Sequence, residues 1–111
     1  MHYHLAVVII NYKTPELVAQ AILSVIPQLG ENDTACVVDN LSADHSLGYL
    51  SEFIKQESLG GKVSLIASPI NGGFSAGNNL GVKSVSADYY LLLNSDAYLT
   101  EGALVQLVIE M

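Results

Sequence analysis

The residues best suited to chemistry lie between Asn71 and Asp96. Asn71-Gly72-Gly73-Phe74-Ser75-Ala76-Gly77-Asn78-Asn79 reads as a glycine-rich loop that opens a helix. Asp88 to Leu93 followed by Asn94-Ser95-Asp96 reads as a buried strand that delivers a carboxylate at its C-terminal end. Paired glycines let a ligand approach the backbone, and the start of a helix favours a pyrophosphate. A hard divalent ion such as Mg²⁺ takes one or two carboxylates and completes its shell with phosphates and water, so Asp96, with Asn94 and Ser95 beside it, suits a metal bridging a diphosphate. The plainer readings are a glycine turn, asparagines bonded to their own backbone, and a turn aspartate. Gly72 and Gly77 have the Walker-A spacing, but Asn78-Asn79 stands where Lys and Ser/Thr would bind phosphate. No G-x-G-x-x-G follows the first strand, which argues against a dinucleotide site.

A second polar edge comes earlier in the chain. Asn11-Tyr12 closes one apolar run and Asp39-Asn40 closes the next, where an acid often reads a ribose or a base by hydrogen bonding. Ser42 and Asp44 fit either a ligand loop or an Asx turn with a helix cap. His2 and His4 share one face of an extended start; a metal site needs further ligands nearby, so they read as exposed terminal residues. Cys36, the one cysteine, has no disulfide partner in the chain and sits in an apolar run, which implies a buried small residue and a reducing compartment. Tyr89 and Tyr90 read as strand packing.

These residues need a scaffold, and the patterning supplies one. Leu5 to Ile10 is a continuous apolar, β-branched run of the kind covered on both faces in a parallel sheet, Thr34 to Val38 reads as a second buried strand, and Lys62 to Ala67 and Tyr89 to Leu93 read as the third and fourth. Between them lie helical stretches. Thr14 is placed as N-cap with Pro15 at the first helical position, and Pro27 and Gly30 end that helix. A second helix is expected near Ser46 to Gln56 and a third near Ser75 to Val85. A last one, capped by Thr100, runs through Leu104 and Val108 to Met111 without a capping Gly or Pro. Alternating strands and helices imply an α/β fold: a doubly wound, mostly parallel sheet with helices on both faces and ligands in the crevice at the strands' C-terminal ends.

Bulk properties narrow the function classes. At 111 residues, with 50% apolar and 14% charged content, the chain is a single globular domain. Four basic residues against eleven acidic ones give a net charge of −7, which excludes phosphate neutralisation along a nucleic acid. The run Leu5 to Ile10 is too short to span a bilayer and lacks the basic flank of a signal peptide, so a cytoplasmic domain is expected.

Four motifs taken in order, Val7-Val8-Ile9-Ile10-Asn11-Tyr12, Val37-Val38-Asp39-Asn40-Leu41-Ser42-Ala43-Asp44, Asn71 to Asn79 and Leu92-Leu93-Asn94-Ser95-Asp96, resemble the N-terminal half of family 2 glycosyltransferases with the GT-A fold. The Asn-x-Gly-Phe-x-x-Gly-Asn-Asn form and Leu-Leu-Asn-x-Asp look most like the rhamnosyltransferase-like branch. The resemblance implies that Tyr12 and Asp39 hold the nucleoside, with Asn11 and Asn40 nearby, and that the Asn71 to Asn79 loop closes over the sugar diphosphate of a dTDP- or UDP-sugar. It implies Mg²⁺ or Mn²⁺ on Asp96, with Asn94 in place of the family's commoner first Asp. It further implies sugar transfer with inversion to a glycan or lipid-linked acceptor in cell-surface polysaccharide or glycoconjugate synthesis, in a parent at the inner face of a membrane.

The family's acceptor half and general base lie further along, so no catalytic residue is assigned here and the chain is expected to be the donor half, inactive alone. A sheet cut short leaves apolar surface uncovered, so self-association is expected too. The competing class is a non-catalytic nucleotide-binding or interaction module that keeps the fold without the chemistry.

Overall fold

A computed structural model describes residues 2–40, 42, 44–68 and 73–93, the last range without the side chains of 73–76. The order is strand β1 (His2–Asn11), helix α1 (Pro15–Val25), a 3₁₀ turn (Ile26–Gln28), β2 (Asp33–Asp39), α2 (Ser46–Gln56), β3 (Val63–Ala67), α3 (Gly73–Ser84) and β4 (Ser86–Leu93). All four strands are parallel, in the order β3-β2-β1-β4. β1 is central because it is apolar on both faces: Leu5 through Ile9 are wholly buried. Chain order reverses beside it, since β2 lies on one flank and β4 on the other. That is the switch point at which open α/β sheets bind ligands.

The period-2 alternation of the strands divides the core. Leu5, Val7 and Ile9 pack with Ala35, Val37 and Leu93 under Val18, Ile22 and Val25 of α1 and Leu50 and Ile54 of α2. Val8, Ile10, Cys36 and Val38 form the opposite layer with Leu80, Val85 and Tyr90. Burying each such aliphatic side chain contributes roughly 1.5–3 kcal/mol. Two glycines bring α3 down onto that second layer. A Cβ on Gly81 would stand 2.5 Å from Val8 Cγ1 and 3.3 Å from Val38 Cγ2, and one on Gly77 would stand 3.0 Å from Ile10 Cδ1.

Several boundaries differ from the sequence reading. β1 begins at His2, so His2 and His4, exposed as expected, belong to the first strand. α3 begins at Gly73, two residues before Ser75. α1 ends at Val25, and Pro27 sits inside the 3₁₀ turn that follows it. Thr14 occupies the N-cap position, and Pro15 is at the first helical position as expected, but the Thr14 side chain makes no capping hydrogen bond. The amide of Asn11 does related work: its Oδ1 accepts the Thr14 N–H at 3.2 Å. The last expected helix, with Thr100, Leu104 and Met111, lies outside the described residues.

Candidate functional site

At the C-terminal edge of the sheet, β1 and β2 end side by side with Asn11 paired to Asp39. Asn11 is fully buried and Asp39 is 5% exposed. The Asn11 Nδ2 donates to Asp39 Oδ1 at 2.8 Å and to Ser42 Oγ at 3.2 Å. The Ser42 hydroxyl donates to the same Asp39 oxygen at 2.7 Å and accepts the Lys13 N–H at 2.9 Å. One carboxylate oxygen thus ties together the end of β1, the end of β2 and both loops that leave them. Backbone bonds reinforce the knot: Asn40 N–H to Asn11 O and Ser68 N–H to Asp39 O, both 2.8 Å. A buried carboxylate is tolerable only because these donors replace water.

The loop after β1 carries a feature invisible in the sequence. Lys13 adopts φ 60°, the left-handed region in which non-glycine residues are uncommon. This turn leaves Tyr12 exposed at 43% and folds the Lys13 ammonium over its ring, 5.2 Å from the centroid. The edge therefore offers an aromatic face and a cation on one loop and a buried carboxylate on the neighbouring strand end. In the loop after β2, Asp44 Oδ1 accepts the Ser46 N–H at 2.8 Å, an Asx turn that leads into α2. The Ser46 hydroxyl and this N–H together hold the Asp44 carboxyl below its ordinary range. Asp44 thus makes an Asx turn, and Ser42 joins the knot.

α3 approaches the same edge from the other face. A Cβ on Gly77 would come 3.6 Å from Asn40 Cγ, so this glycine, expected at the ligand, packs the helix against Ile10 and Asn40. Asn78 is 95% buried (5% exposed), and its Oδ1 has no hydrogen-bond partner among the described residues. Asn79 is exposed. Gly73 and Phe74 lie in the first turn of α3; Asn71, Gly72, Asn94, Ser95 and Asp96 lie outside the described residues. β4 runs parallel to β1 with Leu93 beside Ile9, so β4 ends toward this edge.

Sequence reasoning missed Lys13 and gave Ser42 no fixed role. A small hydroxyl three residues after a strand-end aspartate was a usable signal for Ser42. Nothing in residue type marked Lys13 for a left-handed turn. Among the described residues no group of three or more His, Cys, Asp and Glu side chains is arranged to hold a metal. Cys36 is buried as expected, and burial pushes its thiol up, with the Ser64 hydroxyl opposing.

The glycosyl transferase family 2 model matches residues 6–111. The chain belongs to that family. It is 29% identical over 85 residues to an uncharacterized glycosyltransferase of Haemophilus influenzae, covering 77% of this chain and 33% of that protein. It is similar to the mannosyltransferase PcManGT of Pyrobaculum calidifontis, solved with GDP-Man and Mn2+, with TM-score 0.80 and 14% identity over 97% of this chain and 31% of that one. It is also similar to S. aureus TarS 1-349 in complex with UDP-GlcNAc, with TM-score 0.78 and 18% identity over 96% and 30%. The family 2 chain spans about a third of the length of these relatives, and its parallel α/β sheet is the GT-A architecture they share.

Proposed function

We propose that this chain is the nucleotide-sugar-binding portion of an inverting family 2 glycosyltransferase. It would take a sugar from a nucleoside diphosphate sugar and serve transfer to a glycan or lipid-linked hydroxyl in polysaccharide or glycoconjugate synthesis at the cytoplasmic face of a membrane. The observation that carries the reading is the Asn11–Asp39–Ser42 knot at the switch point. A carboxylate whose Oδ1 is held by two protein donors presents Oδ2 in a fixed direction, which suits recognition of ribose hydroxyls or a base N–H. Tyr12 would stack on the base, and the Lys13 ammonium would leave the ring to screen the diphosphate. The buried Asn78 Oδ1 is an acceptor suited to a sugar hydroxyl. GDP-Man and UDP-GlcNAc in the two structural neighbours support a nucleotide-sugar ligand here, and Mn2+ in one of them supports a divalent ion.

Asp96 would hold that Mg²⁺ or Mn²⁺, which when bound supplies Lewis-acid neutralisation of the diphosphate leaving group. The described residues do the rest: they bind the nucleoside, orient the diphosphate along the start of α3 and keep water from Asp39. No helix among the described residues is long and apolar enough to cross a membrane. Calorimetry with UDP, dTDP and GDP, each with and without Mn²⁺, tests the proposal. Metal-dependent binding that disappears in Asp96→Ala is the expected result; binding indifferent to both metal and Asp96 would overturn the metal assignment.

A further inference from the structure

The opposite edge of the sheet carries a second constellation. His2 opens β1 and Ser86 opens β4, and the parallel register makes them partners. The His2 Nδ1 lies 2.6 Å from Ser86 Oγ, and its Nε2 lies 2.7 Å from Asp88 Oδ1. All three residues occupy even positions, so the pleat puts them on one face. β1 has ten residues, and at roughly 3.3 Å per residue this edge is about 30 Å from Asn11.

The chemistry of the three groups fixes their roles. An ionised carboxylate only accepts, so Asp88 requires a proton on His2 Nε2. In neutral imidazole that leaves a lone pair on Nδ1, and the Ser86 hydroxyl is the donor that reaches it. A serine bonded to a histidine that is itself oriented by a carboxylate is the arrangement that activates a serine nucleophile. His2 and Asp88 side chains are each 56% exposed, so an electrophile can reach the relay. His4 is the other titratable neighbour: its Nδ1 is 3.9 Å from Asp88 Oδ2, and its ring meets Tyr89 edge-on at 5.3 Å.

We propose that Ser86, with His2 as base and Asp88 as the positioning residue, is a covalent modification site for activated acyl esters. The Ser86 Oγ forms a bond to the ester carbonyl carbon and the bond to the leaving alkoxide breaks. The hydroxyl proton passes to His2 Nδ1, and the leaving group departs as the anion or takes that proton. The Ala87 N–H is already donated to Tyr90 Oη at 3.1 Å, so that amide does not serve the oxyanion. Stoichiometric acylation is therefore expected, rather than rapid turnover.

The test is p-nitrophenyl acetate on the intact chain, read by nitrophenolate release and by peptide mass mapping. One acetyl group on Ser86 is expected. Its rate should fall by about a hundredfold or more in both His2→Ala and Asp88→Asn, the scale of lost general-base assistance. Asp88→Asn is the sharper variant: an amide there can donate to Nε2, turning the imidazole so that Nδ1 carries the proton and no longer accepts from Ser86. His4→Gln should leave the rate unchanged, and circular dichroism of each variant shows whether the sheet is intact. Acetylation confined to lysines or the N-terminus, or Ser86 acetylated equally fast in Asp88→Asn, would overturn the proposal.

Discussion

The two edges of this sheet share β1 and treat polar side chains in opposite ways. At the C-terminal edge Asn11, Asp39 and Ser42 are buried and hydrogen-bonded to one another. At the N-terminal edge His2, Ser86 and Asp88 make bonds of similar length in water. Distance alone does not separate the two networks; burial does. A buried polar group left without its partner costs about 1–3 kcal/mol, whereas an exposed one is compensated by solvent. The difference teaches that the first network can hold a rigid, desolvated carboxylate in place for a ligand, while the second can contribute reactivity but little stability.

The comparison can be broken most severely at Asp39. Asp39→Ala removes the common acceptor of Asn11 Nδ2 and Ser42 Oγ. A loss of about 2 kcal/mol in urea unfolding is expected, together with loss of nucleotide binding in calorimetry. Unchanged stability would show that the knot does not constrain the ends of β1 and β2. Gly81→Ala comes next, because the added methyl would stand 2.5 Å from Val8 Cγ1 and force α3 off the sheet. Overpacking of this kind costs about 1–3 kcal/mol, measured as a lower urea midpoint.

Smaller effects sharpen the contrast. Asp44 is exposed and its carboxyl is held below the ordinary range, first by the Ser46 hydroxyl and then by the Ser46 N–H. A depressed folded-state value means that its contribution is present above the unfolded value of roughly 3.9 and is lost as pH falls through the folded one. An Asp44→Asn variant should therefore show a flatter acid limb of stability below about pH 4 in pH-dependent urea melts. The smallest change is expected from Asp88→Asn, with less than about 0.5 kcal/mol in unfolding, because its partners are in water. A large effect there would erase the distinction between the two edges.

Much of this arrangement is written in residue type. Leu5 to Ile10 and Ala35 to Val38 announce strands covered on both faces, and the structure buries them so. Asp39 at a strand end pointed to the edge where the knot lies. Other features depend on neighbours distant in sequence. β4 adds beside β1 rather than β3, and α3 seats closely on Val8 and Val38 through Gly81, neither of which local patterning expresses. Thr14 has every local mark of a side-chain cap, yet it is Asn11, at the end of the strand, that accepts the Thr14 N–H. The left-handed turn at Lys13 is stabilised by Ser42 from the next loop, so no reading of its own segment reveals it.

In the proposed function the Asn11–Asp39–Ser42 edge holds the nucleoside diphosphate. Amide chemical-shift mapping with UDP or GDP and Mg²⁺ tests it most directly, because both edges report in one spectrum. Saturable shifts are expected at Asn11, Tyr12, Lys13, Asp39 and Asn40, with His2, His4 and Asp88 unmoved. Shifts confined to the His2 edge, or none at either edge, would contradict it.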